Sequence, residues 1–365
     1  MTLQKYKRII ISGGGTGGHI FPAISIANAL LKIDPSTEIL FVGAEGKMEM
    51  EKVPVAGFKI IGLPVEGLRR KFTLRNIKVV FKAFKSLALA KKIIKEFNPD
   101  AVVGVGGYAS GPILRQAAKM GIPSVIQEQN SYAGVTNRLL AKKASAICVA
   151  YDGMEKYFPK EKIIKTGNPV RQNFENLNEL KDEALSFFKL ERQTPVALVL
   201  GGSLGAGSIN KCLSENIDKL RNSNCQWIWQ TGSYYYADVS NLAGGNISIH
   251  EFINRMDLAY AAADVIISRA GAGTISELHL AGKPVILIPS PNVAEDHQTK
   301  NAKALVEQNA AVLIPDSMIE KNLIDTALDL IIDADKRKEL SENILKMAEK
   351  NADKRIAEEI IKLIK

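Results

Sequence analysis

The sequence is poor in several features that would assign it to a class at once. Its 365 residues hold three cysteines. Cys148, Cys212 and Cys225 stand far apart, with no CxxC pair and no histidine at metal-ligand spacing. Neither a disulfide framework nor a zinc site is therefore expected, and a reducing cytosol fits. No stretch approaches the roughly 18 uninterrupted apolar residues of a spanning helix. The polar start of the chain runs into Ile9, Ile10 and Ile11 without the apolar length of an export signal. Any membrane attachment is expected to be peripheral. Acidic residues are missing altogether from 68 to 95, where Arg69, Arg70, Lys71, Arg75, Lys78, Lys82, Lys85, Lys91, Lys92 and Lys95 gather. That segment carries much of the formal charge of +9. Charge alone does not choose among nucleic acid, an anionic membrane and an anionic substrate. The segment lacks the interleaved exposed aromatics or named motif of a nucleic-acid binder, so no nucleic acid is expected.

What is present is an ordinary globular composition, 46% apolar and 24% charged, on a chain long enough for two domains of roughly 150 to 200 residues. Short apolar, β-branched runs alternate with helix-length segments. In the first half they fall at 8–12, 38–42, 59–63, 101–105, 124–127, 146–150 and 162–166. The pattern restarts at 195–202 and continues at 226–230, 247–251, 265–268, 284–288 and 311–314. Runs that are apolar on consecutive positions read as strands covered on both faces, hence parallel sheets in βαβ units. The expectation is an α/β chain of two facing Rossmann-like, doubly wound domains with a cleft between them, the glycosyltransferase-B architecture. The first domain is expected over 1–167 and the second over 168–344, with a C-terminal helix at about 345–365 packing back on the first. Pro169, within Asn168-Pro-Val-Arg171, is expected to reverse the chain and act as a hinge.

Both halves open with a strand running into glycines, Gly13-Gly-Gly-Thr-Gly-Gly18 and Gly201-Gly-Ser-Leu-Gly-Ala-Gly207. Such turns let backbone approach a ligand at a helix N-terminus; the alternative is a tight turn for packing only. Gly13, Gly15 and Gly18 also satisfy GxGxxG, but Glu45, the nearest candidate for a ribose-binding acid, comes about 10 residues too late for a dinucleotide fold. A P-loop is excluded because His19, and not lysine, follows Gly18. An imidazole just beyond such a turn faces the mouth of the sheet and titrates near neutrality, which suits a base; a packed structural histidine is the alternative. His250 and His279 lack that setting and are expected to be structural. In the second half, Glu277 follows Gly271-Ala-Gly-Thr-Ile-Ser276 and is expected in the first turn of a helix. There it either accepts both hydroxyls of a ribose or complements the helix dipole. Gln298, before a helix expected near Thr299, either bonds sugar hydroxyls or caps that helix. Asp333-Ala-Asp335, the only Asp-x-Asp triplet, lies in a charged helical segment where capping is the natural role, so no metal cofactor is expected.

These pieces, with Phe21-Pro22, Gly106-Gly-Tyr-Ala-Ser-Gly-Pro112, Glu128-Gln-Asn130 and Gly167-Asn-Pro-Val-Arg171, occur in one order from residue 14 to 298. Together they resemble the successive signatures of the MurG family. The resemblance implies an inverting transfer of N-acetylglucosamine from UDP-GlcNAc to the muramyl 4-hydroxyl of undecaprenyl-diphosphate-linked muramyl-pentapeptide. It also implies a peripheral position on the cytoplasmic face of the bacterial membrane. Carried onto matching positions, it puts Thr16, Gly17, Gly18 and Asn130 on the donor-sugar and acceptor side of the cleft, and Tyr108 and Ser110 on the acceptor side. Arg171 and Ser203 approach the diphosphate, and Ile253 offers backbone to uracil. Ala272, Gly273, Thr274, Ile275, Ser276 and Glu277 form the nucleotide turn, with Glu277 on ribose, and Gln298 meets the sugar. His19 is the candidate base, with Glu128 the acidic alternative. The sequence departs from the family in having a single glutamine, in Glu295-Asp-His-Gln298, and two glycines, Gly271 and Gly273, where one is usual. A transferase of the same architecture acting on a diacylglycerol or sterol acceptor is the nearest rival; the motifs of the first half argue against it.

Overall fold

The computed structural model describes residues 7–66, 74–170, 174, 177–202, 204–293 and 296–364, with the backbone alone over 74–81. The chain divides into two units. One comprises Met1–Val170 with Asn351–Lys365, and the other Arg171–Lys350. The sequence pattern places these limits at 167/168 and about 344/345.

The first unit runs β1 (Arg8–Ser12), α1 (Gly17–Ile33), β2 (Glu38–Ala44), α2 (Glu49–Val55), β3 (Lys59–Leu63), α3 (Leu74–Phe97) and β4 (Ala101–Gly104). It continues with α4 (Ser110–Lys119), β5 (Ser124–Glu128), α5 (Val135–Leu140), β6 (Ala146–Val149) and β7 (Ile163–Lys165). All strand pairs are parallel, in the order β3-β2-β1-β4-β5-β6-β7. Ile9, Ile10 and Ile11 are fully buried because the two faces of β1 enter different cores. Ile9 and Ile11 meet Ile20, Ala23, Ile26, Ala27 and Leu30 of α1, which recur at the three- and four-residue spacing of one helix face. Ile10 enters the opposite layer with Ile93 and Ile94 of α3 and Ile113 and Leu114 of α4.

The second unit runs α6 (Lys181–Phe188), β8 (Val196–Leu200), α7 (Gly207–Glu215), α8 (Ile217–Arg221), β9 (Gln226–Gln230), α9 (Tyr236–Val239), β10 (Ile247–His250) and α10 (Met256–Ala262). There follow β11 (Val265–Ser268), α11 (Ala272–Ala281), β12 (Val285–Leu287), α12 (His297–Val306), β13 (Val312–Leu313), α13 (Ile319–Ile332) and α14 (Ala334–Lys346). Its parallel sheet has the order β10-β9-β8-β11-β12-β13. Trp227 and Trp229 fill one face, and Trp229 donates its indole N–H to Asn210 Oδ1 at 2.9 Å, so the ring is buried with its polar atom satisfied. The last helix, α15 (Ala352–Lys362), returns to the first unit, where Ile356, Ala357 and Ile360 enter the core beside α1.

In each sheet the strand order reverses beside its first strand, between β1 and β4 and between β8 and β11. Ligands of doubly wound folds bind beyond the carboxyl ends of strands at such switch points. Both glycine clusters leave the sheet there.

Candidate functional site

In the first unit the turns after β1 and β4 are pressed together, backbone on backbone. Gly107 has φ +82, and a Cβ on it would stand 2.4 Å from the Gly14 carbonyl oxygen. One on Gly13 would stand 2.2 Å from a Val105 methyl. Glycine is required at such contacts for its missing side chain as much as for its dihedral freedom. His19 lies in the first turn of α1, its N–H bonded to the Thr16 carbonyl at 3.0 Å. Its Nδ1 is 3.2 Å from Thr16 Oγ1. Its ring lies over Gly106, where a Cβ would come within 2.8 Å of Cδ2 and Nε2. Thr16, Gly17, Gly18 and His19 are thus gathered with Gly106 at the switch point. Tyr108, in the same turn, is 63% exposed. Ser110 is fully buried and donates to the Gly107 carbonyl at 2.9 Å, so its hydroxyl shapes the turn.

Glu128 ends β5, the next strand, and is buried. Its Oε1 accepts from the Asn130 backbone at 3.1 Å and the Asn130 amide at 3.4 Å, and its Oε2 from Gly134 N at 3.0 Å and Asn137 Nδ2 at 2.9 Å. Burial pushes its carboxyl above the usual range, and these donors oppose the shift. Both oxygens are engaged in folding the loop that carries Asn130. Beside it lies a buried amide chain: Gln129 Nε2 donates to Val105 O at 2.8 Å and to Gln127 Oε1, Gln127 Nε2 to Asn168 Oδ1 at 3.0 Å, and Asn168 Nδ2 to Gln129 O at 3.0 Å. The Glu-Gln-Asn and Gly-Asn-Pro motifs are therefore one assembly.

In the second unit, α11 begins at Ala272 with Gly271 as its N-cap, so Glu277 lies in the second helical turn and not the first. The two glycines that flank Ala272 do not delay the helix. Glu277 accepts a hydrogen bond from Tyr260 OH at 3.1 Å and is partly exposed. Ala272 and Ile275 are buried, while Gly273, Thr274 and Ser276 are partly exposed; Ser276 donates back to Ala272 O at 3.0 Å. Ile253 is buried, and its N–H is already bonded to Gln230 Oε1 at 2.9 Å. Gln298 lies within the first turn of α12, which begins at His297, two residues ahead of expectation. Its Oε1 accepts from Ser290 N at 2.8 Å, tying the helix to the loop after β12 without capping it. Arg171, Ser203, Glu295 and the basic residues Arg69, Arg70 and Lys71 lie outside the described residues, as do the side chains of Arg75 and Lys78. From there on, Lys82 pairs with Glu66 at 2.7 Å and Phe84 is 68% exposed.

Two of the other histidines, His250 and His279, pack within the second unit. His250 Nε2 is 2.8 Å from Ser248 Oγ, and the ring packs edge-on against Phe188. His279 is buried, and desolvation lowers it to about 4. Asp333 caps α14 by accepting from Lys336 N at 2.8 Å. Among the described residues no group of three or more His, Cys, Asp or Glu is arranged to hold a metal ion.

Three connecting side chains escaped the sequence reading. Gln230 joins Ile253 to the Gly202 carbonyl through its Nε2 at 3.2 Å. Arg269 gathers Ile288 O, Pro289 O, Asp316 and Ser208, linking the ends of β11 and β12 to the start of α7. Glu49 holds the first glycine turn from below, accepting from Gly15 N at 2.9 Å. Gln230 ends β9, Arg269 follows β11 and Glu49 opens α2, and their partners lie far off in sequence.

Residues 9–149 match the glycosyltransferase family 28 N-terminal domain, and residues 196–360 the glycosyltransferase family 28 C-terminal domain. The UDP-N-acetylglucosamine–N-acetylmuramyl-(pentapeptide) pyrophosphoryl-undecaprenol N-acetylglucosamine transferase of Parabacteroides distasonis is 59% identical over 366 residues, covering 99% of each chain. The protein of the same name from Flavobacterium psychrophilum is 52% identical over 363 residues, again covering 99% of each. Among solved structures, MurG of Acinetobacter baumannii aligns with a TM-score of 0.78 at 28% identity, covering 98% of this chain and 99% of that one. A glycosyltransferase of kitacinnamycin, with a TM-score of 0.72 at 14% identity, shares the fold alone. With both family 28 halves in order and identity of this level from end to end, the chain belongs to the MurG family of UDP-N-acetylglucosamine–N-acetylmuramyl-(pentapeptide) pyrophosphoryl-undecaprenol N-acetylglucosamine transferases.

Proposed function

We propose that this chain transfers N-acetylglucosamine from UDP-GlcNAc to the 4-hydroxyl of the muramyl sugar in undecaprenyl-diphosphate-linked muramyl-pentapeptide, with inversion at the anomeric carbon, making the lipid-linked disaccharide used for peptidoglycan. Identity of 59% across 99% of the chain carries this reading. It is tested by incubating the enzyme with labelled UDP-GlcNAc and the lipid-linked acceptor: a labelled product that extracts into lipid supports it, and label that stays with the nucleotide sugar refutes it.

The residue roles follow from chemistry. A sugar hydroxyl is too weak an acid to ionise beforehand, so a base must take its proton as the bond to the anomeric carbon forms. We assign that proton to His19. In the tautomer whose Nδ1–H donates to Thr16 Oγ1, Nε2 is in its acceptor form on the ring edge that faces Gly106. Glu128, whose oxygens hold Asn130, Gly134 and Asn137, is assigned to positioning. Tyr108 and the Asn130 loop are assigned to the acceptor side. On the donor side Glu277, steadied by Tyr260, takes the ribose hydroxyls, and Gln298 the sugar. Ile253 contributes its carbonyl to uracil, since its N–H is engaged by Gln230. The leaving diphosphate is assigned to the N-termini of α7 and α11 with Arg171 and Ser203, where backbone N–H groups and a guanidinium stabilise growing negative charge. No metal is invoked for this step.

The enzyme works at the membrane surface without crossing it. No described helix is long and apolar enough to span. The basic residues from 68 to 95, with Phe84 exposed among them, suit an anionic leaflet, each basic group contributing about 1 kcal/mol. Co-sedimentation with anionic liposomes that persists unchanged after Arg69, Arg70, Lys71 and Arg75 are replaced by glutamine assigns binding elsewhere.

A further inference from the structure

One buried carboxylate in the first unit has no part in the roles above. Glu49, the first residue of α2, is 1% exposed, and its carboxylate lies beneath the glycine turn after β1. Oε2 accepts from Gly15 N and Oε1 from Ala44 N, each at 2.9 Å, so one side chain fastens that turn to the end of β2. Two glycines make room for it. A Cβ on Gly14, at φ +143, would fall 2.1 Å from Oε1, and one on Gly43 would fall 2.5 Å from Cγ. On another side the same turn is met by Gly107, whose Cβ position lies 2.4 Å from the Gly14 carbonyl oxygen. The residue after Gly15 is Thr16, at the N-cap position of α1, whose hydroxyl is 3.2 Å from His19 Nδ1.

A buried carboxylate is costly unless its charge is met by hydrogen bonds, and a Gly15 N–H turned inward is unavailable to any ligand phosphate. We propose that Glu49 is a positioning residue for the transfer reaction, holding the Gly14–Gly15 turn so that Thr16 and His19 stand where the acceptor hydroxyl is deprotonated. A glutamine there supplies one acceptor but turns its NH2 group toward the other backbone N–H, releasing one of the two attachments. The turn then gains a second, preferred arrangement, and His19 is displaced from Gly106 for most of the time. Binding of the UDP portion of the donor, assigned to residues of the second unit, is untouched.

This inference rests on the transferase reading, so the test uses the full-length enzyme and scores the two separately. Wild type that makes no lipid-extractable product overturns the transferase reading whatever the variants do. With wild type active, Glu49→Gln is expected to lower kcat by about 10- to 100-fold while the calorimetric Kd for UDP stays within about twofold. In a double-mutant cycle, Glu49→Gln is expected to add nothing to His19→Ala, because it acts through that ring. A residue that merely supports the fold gives a lower Tm with kcat per folded molecule unchanged, or a defect that multiplies with His19→Ala. Either result overturns the proposal. If Glu49→Gln does not fold, Glu49→Asp carries the test: it keeps the charge but withdraws it by one methylene, and wild-type kcat in that variant overturns the proposal, whereas a reduced kcat at unchanged UDP affinity supports it.

Discussion

Replacing Gly106 by alanine probes the His19 assignment without touching the histidine. An alanine Cβ at this position lies 2.8 Å from His19 Cδ2 and Nε2, about 0.7 Å inside the roughly 3.5 Å of ordinary carbon contact. The methyl group therefore occupies the space above the nitrogen assigned as base. The opposite ring atom, Nδ1, is 3.2 Å from Thr16 Oγ1, so a ring pushed off Gly106 must turn or shift against that contact, and its hydrogen-bond geometry is lost. The backbone at φ +97 adds about 1–3 kcal/mol of strain for any residue with a side chain. For a unit of this size that lowers Tm by about 2–12 °C. Displacing a reacting group by a fraction of an ångström to an ångström costs up to about 10²-fold in rate. Single-turnover transfer measured with saturating donor and acceptor, below the variant's Tm, is expected to slow by about that factor, while UDP binding by calorimetry is unchanged. A folded Gly106→Ala enzyme turning over at the wild-type rate refutes the placement of the base above Gly106.

Glu277→Gln is expected to weaken UDP binding by about 10-fold or more, since bonds to a charged acceptor are worth about 1.5–3 kcal/mol; wild-type UDP affinity in calorimetry removes Glu277 from the ribose. Tyr260→Phe deletes the 3.1 Å bond to Glu277 and is expected to cost about 0.5–1.5 kcal/mol of the same affinity, visible as a rise in Kd with kcat near wild type. Ile360→Ala, which opens a cavity where α15 meets the first core, is expected to destabilise that unit by about 2–5 kcal/mol in denaturant unfolding of the whole chain, and an unchanged midpoint refutes the docking of α15. His279, lowered to about 4 by burial, binds a proton in the unfolded chain before it does so in the folded one. Its contribution is therefore intact above the unfolded value of about 6.5 and is lost as pH falls toward 4, by about 2 kcal/mol at pH 5. His279→Gln is expected to flatten that part of the stability profile, and a profile that keeps its slope assigns the dependence to other groups.

The sheets were legible because each strand is a short run apolar on both faces, and all thirteen runs read from the sequence became strands with ends displaced by no more than two residues. Hydrophobic burial on two faces writes itself locally into composition. Helix starts were less legible. The helix carrying Glu277 begins at Ala272 despite Gly271 and Gly273, because packing of Ile275 and Leu278 against the core outweighs the low helix propensity of glycine. The glycine clusters announced close approach but not what approaches. Gly14 admits the carboxylate of Glu49, 35 residues later in the chain, whereas Glu45, the acid weighed as a ribose ligand, is exposed and donates its N–H to Leu63 O. Gln230 and Arg269 are invisible for the same reason: one ends β9 and the other follows β11 as unremarkable polar residues, and only the sheet order brings Ile253, Ser208 and Asp316 to them.

The measurement that bears most directly on the account is single-turnover transfer by His19→Ala, with UDP affinity and Tm determined on the same preparation. A neutral imidazole acting as base contributes typically 10²–10⁴-fold. The account predicts a folded variant that binds UDP as wild type does, transfers N-acetylglucosamine slower by about that factor, and has lost the acidic limb of the rate profile. A His19→Ala enzyme that folds, binds UDP and transfers within a few-fold of wild type contradicts it.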